Sequence, residues 1–205
     1  MSSSVWLVLA VILVIVAVVF LIISVRKRDE DGIGEQPSTR RDMFQESDGS
    51  ANFSPSKLGP GAIISYGGID YVIRGAIRLR QGQYTWHEYL LEGGKGAEWL
   101  SVEYDEGQLN LGWWLSRKDL DLEPAQELTV EGTRYRKVES GVGEYTTEGT
   151  TGLGERGRYK YWDMAETGGN RLLGLEVYGE DGPTEASLGW KILPGEITVY
   201  PAPGN

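Results

Sequence analysis

The sequence predicts an all-β domain of two tandem related antiparallel β units, packed together as a sandwich or barrel and preceded by one N-terminal transmembrane helix. Three observations support this prediction. An apolar run interrupted only by Ser24 occupies residues 5–25, apolar and polar residues alternate through much of residues 58–200, and short glycine-containing breaks separate the alternating runs. A period of two is typical of strands, because successive side chains point to opposite faces.

Residues 5–25 form the predicted membrane anchor. A helix rises about 1.5 Å per residue, so this run crosses a hydrocarbon core of about 30 Å. A cleaved signal peptide fits less well, because residues 1–4 carry no basic side chain and the apolar run is long. Arg26, Lys27 and Arg28 follow directly, and basic flanks stay on the cytoplasmic side. We therefore expect a single-pass cell-membrane protein with its N-terminus outside and its soluble domain in the cytoplasm.

Residues 26–57 are predicted to form a flexible charged linker, since they are rich in Ser, Gly, Pro and charge and poor in large apolar residues. The chain has no cysteine, which fits a reducing compartment and excludes disulfides and thiolate metal sites. Residues 29–205 hold 17 basic and 30 acidic residues, a net charge of −13. Such a domain repels nucleic acid and attracts cations or basic partners, although an acidic surface also simply favours solubility.

The folded part is predicted to comprise a first β unit over residues 58–126 and a second over residues 127–205. The run TWHEYLLEGG in the first unit corresponds to KYWDMAETGG in the second. Leu-Gly-Trp copies lie 77 residues apart, and the Gly-x-x-Tyr copies near the start of each unit lie 64 apart. This similarity predicts a tandem duplication of a five-stranded antiparallel unit. One unit has little core of its own, so the two are expected to pack together.

Three short motifs resemble a bacterial family of domains of unknown function, the one numbered four-one-seven-eight. They are Leu58-Gly59-Pro60-Gly61, the W-x-E-Y-x-L run from Trp86 to Leu91, and the W-L-x-x-E run from Trp99 to Glu103. The resemblance covers about residues 58–200. The family has no established activity, so the resemblance implies no catalytic residue.

Carboxylates and tryptophans are the candidates for binding a ligand or partner. Glu88 and Glu103 lie in the first unit's two motifs, and Asp163 and Glu176 are at matching positions in the second. If adjacent strands bring each pair together, the carboxylates share a face with tryptophans, which suits a cation or polyamine. Alternatively, the carboxylates face water and the tryptophans pack in the core, which is the commoner arrangement. The complete set is Trp86, Glu88, Trp99, Glu103, Trp114, Trp162, Asp163 and Glu176, with Trp86, Trp99 and Trp162 expected on the carboxylate face.

Two adjacent tryptophans, Trp113 and Trp114, must point to opposite faces of one strand. One can enter the core. The other must meet the second unit, a ligand or a partner.

Two other patterns predict no chemistry. Residues 152–157 match G-x-G-x-x-G, but a polar stretch precedes them and a strand pattern follows, so a loop is expected rather than a dinucleotide site. His87 is the single histidine, and a lone histidine on a strand is more often structural than a ligand. We expect no catalytic residue, no cofactor and no metal site.

Three functions follow from these observations. A membrane-anchored cytoplasmic binding or scaffolding module, with a protein partner at the inner membrane face, is favoured by the anchor, the linker and the tryptophan-rich strands. A small-ligand sensor for a cation or polyamine is the alternative. A hydrolase that uses paired carboxylates is a second alternative, and it requires those groups at a defined separation in a cleft.

Overall fold

The computed structural model describes residues 53–105 and 107–202. The predicted membrane anchor and residues 26–52 of the predicted linker lie outside the described residues. Within the described ranges, no helix has the length and apolar character needed to cross a membrane. The described chain is all-β, as predicted, with 11 strands and two short 3-10 segments at Pro55–Lys57 and Pro194–Glu196.

The strands occupy most of the described sequence. In chain order they are β1 (Ile63–Tyr66), β2 (Ile69–Gln81), β3 (Tyr84–Glu92), β4 (Glu98–Asp105), β5 (Gln108–Ser116), β6 (Glu127–Val130), β7 (Thr133–Gly149), β8 (Arg156–Glu166), β9 (Arg171–Tyr178), β10 (Thr184–Ile192) and β11 (Ile197–Tyr200). The G-x-G-x-x-G residues 152–157 lie mainly in the loop between β7 and β8, and a strand follows them rather than a helix.

Eight of these strands close an antiparallel barrel. Their order is β2-β3-β4-β5-β10-β9-β8-β7, and β7 pairs back with β2. β1 and β11 extend the sheet beyond β2, and β6 extends it beyond β7. Of the two architectures that the sequence allows, the structure is therefore the barrel.

The two halves of the chain repeat the same strand order. β1 to β5 and β6 to β10 each begin with a short outer strand, followed by a long strand that carries a bulge. The bulges lie at Arg74 and Val138, which are 64 residues apart like the Gly-x-x-Tyr copies. Trp113 pairs with Trp190, its own Leu-Gly-Trp copy. A residue that pairs with its copy marks a local two-fold axis, so the halves are related by approximate two-fold symmetry.

Two of the three apolar clusters lie on the outer surface of the barrel wall. In the first, Ile64 and Val199 from β1 and β11 cover Leu100 and Trp113. Phe53, within the predicted linker, is also buried in this cluster. The second cluster lies against β8, β9 and β10, where β6 and the segment after β5 cover it; it contains Val130, Tyr135, Met164, Leu173, Leu175 and Ala186. The lumen is consequently lined by a different set of side chains.

Candidate functional site

Alternate residues of the eight barrel strands face the lumen. The Trp86 ring on β3 lies 5.6 Å from the Tyr161 ring and 6.1 Å from the Tyr159 ring, both on β8 (centroid distances). β3 and β8 are separated in the wall by β2 and β7, so these contacts cross the interior. The pairing registers then place seven of the eight predicted candidates on this inner face: Trp86, Glu88, Trp99, Glu103, Trp114, Asp163 and Glu176.

The expectation that Trp162 shares this face is wrong. Trp162 lies between Tyr161 and Asp163 on β8, and adjacent strand residues point to opposite faces. Its ring packs outside the barrel against the second apolar cluster. The adjacent pair Trp113 and Trp114 follows the same rule as predicted, because Trp113 is buried in the outer cluster and Trp114 faces the lumen.

Glycines on the inner face allow aromatic rings to lie along the barrel wall. A β-carbon at Gly143 would come within 2.6 Å of the Tyr159 ring, which lies directly beside it across the β7–β8 ladder. Added β-carbons at Gly174 and Gly189 would lie 3.4 Å and 2.6 Å from the Trp114 ring. Because these rings cover glycines, they occupy space beside the backbone rather than projecting straight toward the barrel axis.

Replacing Gly143 with alanine is expected to lower the free energy of unfolding by about 1 to 3 kcal/mol, the usual cost of overpacking. The new β-carbon would lie 2.5 Å from the carbonyl oxygen of Arg80, and a backbone atom moves less easily than a side chain. Urea unfolding measures the loss. Gly154→Ala is the control, since its β-carbon would have no neighbour within 4 Å. Equal stability of the two variants would contradict the close packing of Tyr159 and the Arg80 backbone against Gly143.

Three carboxyl groups come together in the lumen from β3, β8 and β9, and water still reaches them. Glu88 and Glu176 are half-buried and Asp163 is exposed, although protein surrounds all three. This enclosure limits hydration and raises the pKa of Asp163 to about 7, helped by repulsion from Glu139 and Glu103. Desolvation, and then the charge of Asp163, raises the pKa of Glu176 to about 8.

Glu88 lies across the barrel from these two groups. Desolvation raises its pKa well above the usual value, and repulsion from Glu176 and Asp163 adds to the effect. None of the ion pairs in the described part of the chain involves Glu88, Asp163 or Glu176. The basic residues on the inner face of the barrel strands include Lys191 on β10 and Arg136 on β7; both are exposed, and Arg136 pairs with Glu127. The three central carboxyl groups therefore have no ion-pair partner in the described part of the chain.

Two further carboxyl groups lie toward one end of the lumen. Glu103 is near the end of β4 and Glu139 near the start of β7, which the antiparallel order places at the same end of the barrel. The Tyr161 hydroxyl donates to Glu139 over 2.7 Å and also contacts Gln81. Burial raises the pKa of Glu103, and the charges of Asp105 and Glu139 raise it further. Acidic side chains therefore line this end of the barrel.

Tyr159 is a lumen residue that the sequence analysis did not single out. It is 1% exposed, and its hydroxyl has no hydrogen-bond partner among the described residues. Burial raises its pKa first, followed by the charges of Glu88, Tyr161, Glu176 and Asp163. The pairing register puts it diagonally across the β8–β9 ladder from Glu176, which pairs with Tyr161. The sequence does contain a sign of this position: Tyr159, Tyr161 and Asp163 are spaced two residues apart, so a strand places all three on one face.

The three central carboxyl groups are near enough to repel one another across the lumen, but they do not converge on a single point. Within the described residues, no group of three or more histidine or carboxylate side chains is arranged to hold one metal ion. His87 lies outside the lumen, opposite Arg78 and stacked 6.2 Å from Tyr89, and burial followed by the Arg78 charge lowers its pKa. Separated carboxyl groups beside aromatic faces suit an extended organic cation better than a single metal ion.

Comparison with known proteins places this region in one family. The family model described as Domain of unknown function (DUF4178) matches residues 59–194. Uncharacterized protein Mb2628 of Mycobacterium bovis and uncharacterized protein Rv2597 of Mycobacterium tuberculosis are each 43% identical to the chain over 200 residues. These alignments cover 96% of this chain and 95% of each relative. No solved structure matches the chain.

Proposed function

We propose that this chain, which belongs to the DUF4178 family, binds a small organic cation such as a polyamine in its barrel lumen. One observation carries the proposal: Glu88, Asp163 and Glu176 lie close together in a water-accessible, aromatic-lined lumen without a basic partner among the described residues. Three such groups repel one another when ionised. A bound cation attracts each carboxylate and so offsets the repulsion among them.

The aromatic wall supports a cationic ligand rather than a neutral one. Trp86, Trp99 and Trp114 face the lumen and are half-buried, so their faces are available for contact. A cation over such a face gains about 0.5 to 2 kcal/mol, most when the contact is desolvated. An alkyl chain between ammonium groups would also pack against these rings. Charge and apolar contact together favour an aliphatic amine.

A paired-carboxylate hydrolase has less support. Acid–base chemistry by two carboxyl groups needs environments that push their pKa values apart, so that one is protonated while the other is ionised. In the lumen, burial first and then repulsion from neighbouring carboxyl groups raise the pKa values of Glu88, Asp163 and Glu176 in the same direction. This pattern fits shared recognition of a cation better than divided catalytic roles.

We also propose that residues 5–25 anchor the barrel at the inner face of the cell membrane, where a protein partner would respond to ligand occupancy. The apolar run and the basic residues Arg26, Lys27 and Arg28 support this arrangement. Carbonate extraction of membranes and a reporter fused to the C-terminus test it. Release of the chain by carbonate, or a reporter active only outside the cytoplasm, would overturn this part of the proposal.

Replacing Glu88 with glutamine is expected to weaken the binding of an organic cation about tenfold, because one carboxylate that faces the ligand is lost. The measurement is calorimetric titration of the full-length chain in detergent with putrescine, spermidine, choline, magnesium and glucose. Glu148→Gln is the matched control, since Glu148 is exposed on the outer face of β7. Failure of every organic cation to bind the wild-type chain would refute the proposal.

A further inference from the structure

The outer surface of the barrel is exposed where β2, β7 and β8 lie side by side. Leu79 is fully buried in the lumen, so its neighbours on β2 point outward. Residues that pair across a ladder share a face, and two rows of paired residues therefore cross this surface. The first row is Arg80, Glu144 and Arg158, and the second is Arg78, Thr146 and Arg156. All six residues are exposed.

This surface, which we call the basic face, is mostly positive. Its charged outward positions are Arg78, Arg80, Glu144, Glu148, Arg156, Arg158 and Lys160. Arg80 contacts Glu144 over 2.7 Å, whereas the other four basic side chains form no ion pair with any described residue, the acidic residues of the adjoining loops included. Residues 29–205 have a net charge of −13, so the basic face differs in sign from the domain that carries it. At physiological ionic strength charges are screened beyond about 8 Å, so the local charge decides what approaches this face.

A cleft of about 410 Å³ lies at one border of the basic face, where β2 stops pairing with β7 and turns toward β3. Arg80, Glu144 and Arg158 line it together with Val142, which is 48% exposed. A guanidinium group binds phosphate oxygens through paired N–H donors. The exposed valine beside these groups offers apolar contact as well. A phosphate carried on an apolar surface, as in a lipid bilayer, matches both features.

The chain enters the barrel beside the same face. A β-carbon at Gly149, the last residue of β7, would come within 3.1 Å of the Pro60 ring, so the segment that leads into β1 lies against the end of β7. As the flexible linker that the sequence predicts, residues 26–52 would span about 30 Å. A membrane anchor at residues 5–25 would therefore hold the basic face within reach of the bilayer.

We infer that the barrel docks on the anionic inner leaflet of the cell membrane through the basic face, with a lipid phosphate in the cleft between Arg80 and Arg158. This inference rests on the proposed anchoring by residues 5–25. Clustered arginine and lysine side chains are attracted to anionic headgroups, while the acidic remainder of the domain is repelled, and together these forces favour one orientation. Docking would leave the opposite wall, at β5 and β10, turned toward the cytoplasm.

The test measures how close the basic face lies to lipid headgroups. The chain has no cysteine, so Thr146→Cys accepts a single fluorophore at the centre of the face. Energy transfer from it to a headgroup-bound acceptor is measured on the full-length chain in nanodiscs. Transfer should be higher with phosphatidylglycerol than with phosphatidylcholine alone, and high salt should remove the difference. A fluorophore at Leu193→Cys, which is 70% exposed after β10 on the far side of the barrel, should show no such rise.

Charge variants identify the surface that docks. Replacing Arg78, Arg156 and Arg158 with glutamine leaves no carboxylate without its ion-pair partner, and it should lower the ratio of docked to free barrel about a hundredfold. The matched control replaces Lys95, Lys118 and Lys191, which are exposed and outside the basic face, and it should dock like the wild type.

Three outcomes would overturn the inference. Equal transfer in the two lipids, or an equal loss in both triple variants, would refute the docking while leaving the anchor in place. Loss of crosslinking to a protein in the arginine variant, with its lipid proximity unchanged, would show that the face binds a protein instead. Release of the chain from membranes by carbonate would refute the anchor and the docking together.

Discussion

The affinity of the lumen for an organic cation is expected to rise about a hundredfold between about pH 5.5 and about pH 8.5. Asp163 and Glu176 have pKa values raised to about 7 and about 8, so both are largely protonated at the lower pH and mostly ionised at the higher. An aliphatic amine keeps its charge over this range, since its pKa is about 10. Titration calorimetry of putrescine at several pH values measures the change.

The unliganded protein is expected to respond to pH in the opposite direction. The pKa values of Asp163 and Glu176 are higher in the folded state than their ordinary values of 3.8 and 4.5. Their contribution to stability is therefore complete below about pH 4 and is lost as the pH rises through about 7 and 8. The exposure of Asp163 reduces the effect, so the melting temperature should fall by on the order of 5 °C between about pH 6.5 and about pH 9.

The pH range and a double variant together isolate the contribution of Asp163 and Glu176. His87 has a pKa lowered by burial and by Arg78, so its own contribution has the opposite sign but is confined to pH values below about 6.5. The double variant Asp163→Asn with Glu176→Gln carries no titrating group at these two positions. Both the rise in affinity and the fall in melting temperature should become smaller in it, and the part that remains is assigned to Glu88, whose pKa burial also raises. A wild-type affinity that does not change with pH would contradict cation binding by Asp163 and Glu176 with raised pKa values.

Replacing Trp113 with alanine is expected to lower the free energy of unfolding by about 4 kcal/mol or more. The side chain is 1% exposed, and its ring lies 4.4 Å from the Tyr66 ring and 4.9 Å from the Tyr71 ring. Its indole nitrogen donates to the Glu98 carboxylate over 2.9 Å, and Glu98 is itself 7% exposed. The variant would therefore leave a cavity and a buried carboxylate that has lost a donor. Urea unfolding at neutral pH measures the loss.

A second variant separates these two contributions. Trp113→Ala combined with Glu98→Gln should recover part of the stability, since the unpaired group is then a neutral amide rather than a carboxylate. The burial of the outer apolar cluster indicates that it is a main source of stability. A loss of less than about 2 kcal/mol in the free energy of unfolding for Trp113→Ala alone would contradict that role.

Local periodicity was sufficient to predict several features of the site. Alternation along β3 put Trp86 and Glu88 on one face, and it put Trp113 and Trp114 on opposite faces of β5. It also predicted an all-β domain, because a period of two excludes helices over the same residues. Applied to Trp162 and Asp163, the same rule would have removed Trp162 from the carboxylate face.

The sequence by itself determined which side chains share a strand face, because that depends only on the alternation of neighbouring residues. Tertiary structure decided which of the two faces is the inside. That choice follows from the pairing of β2 with β7 and of β5 with β10, which joins strands far apart in the chain. Closure also brings Glu88 within reach of Asp163 and Glu176 and buries the Tyr159 hydroxyl beside them. Enclosure, together with repulsion between neighbouring carboxyl groups, then raises the pKa values of these three side chains. These shifts therefore arise only when the barrel has closed.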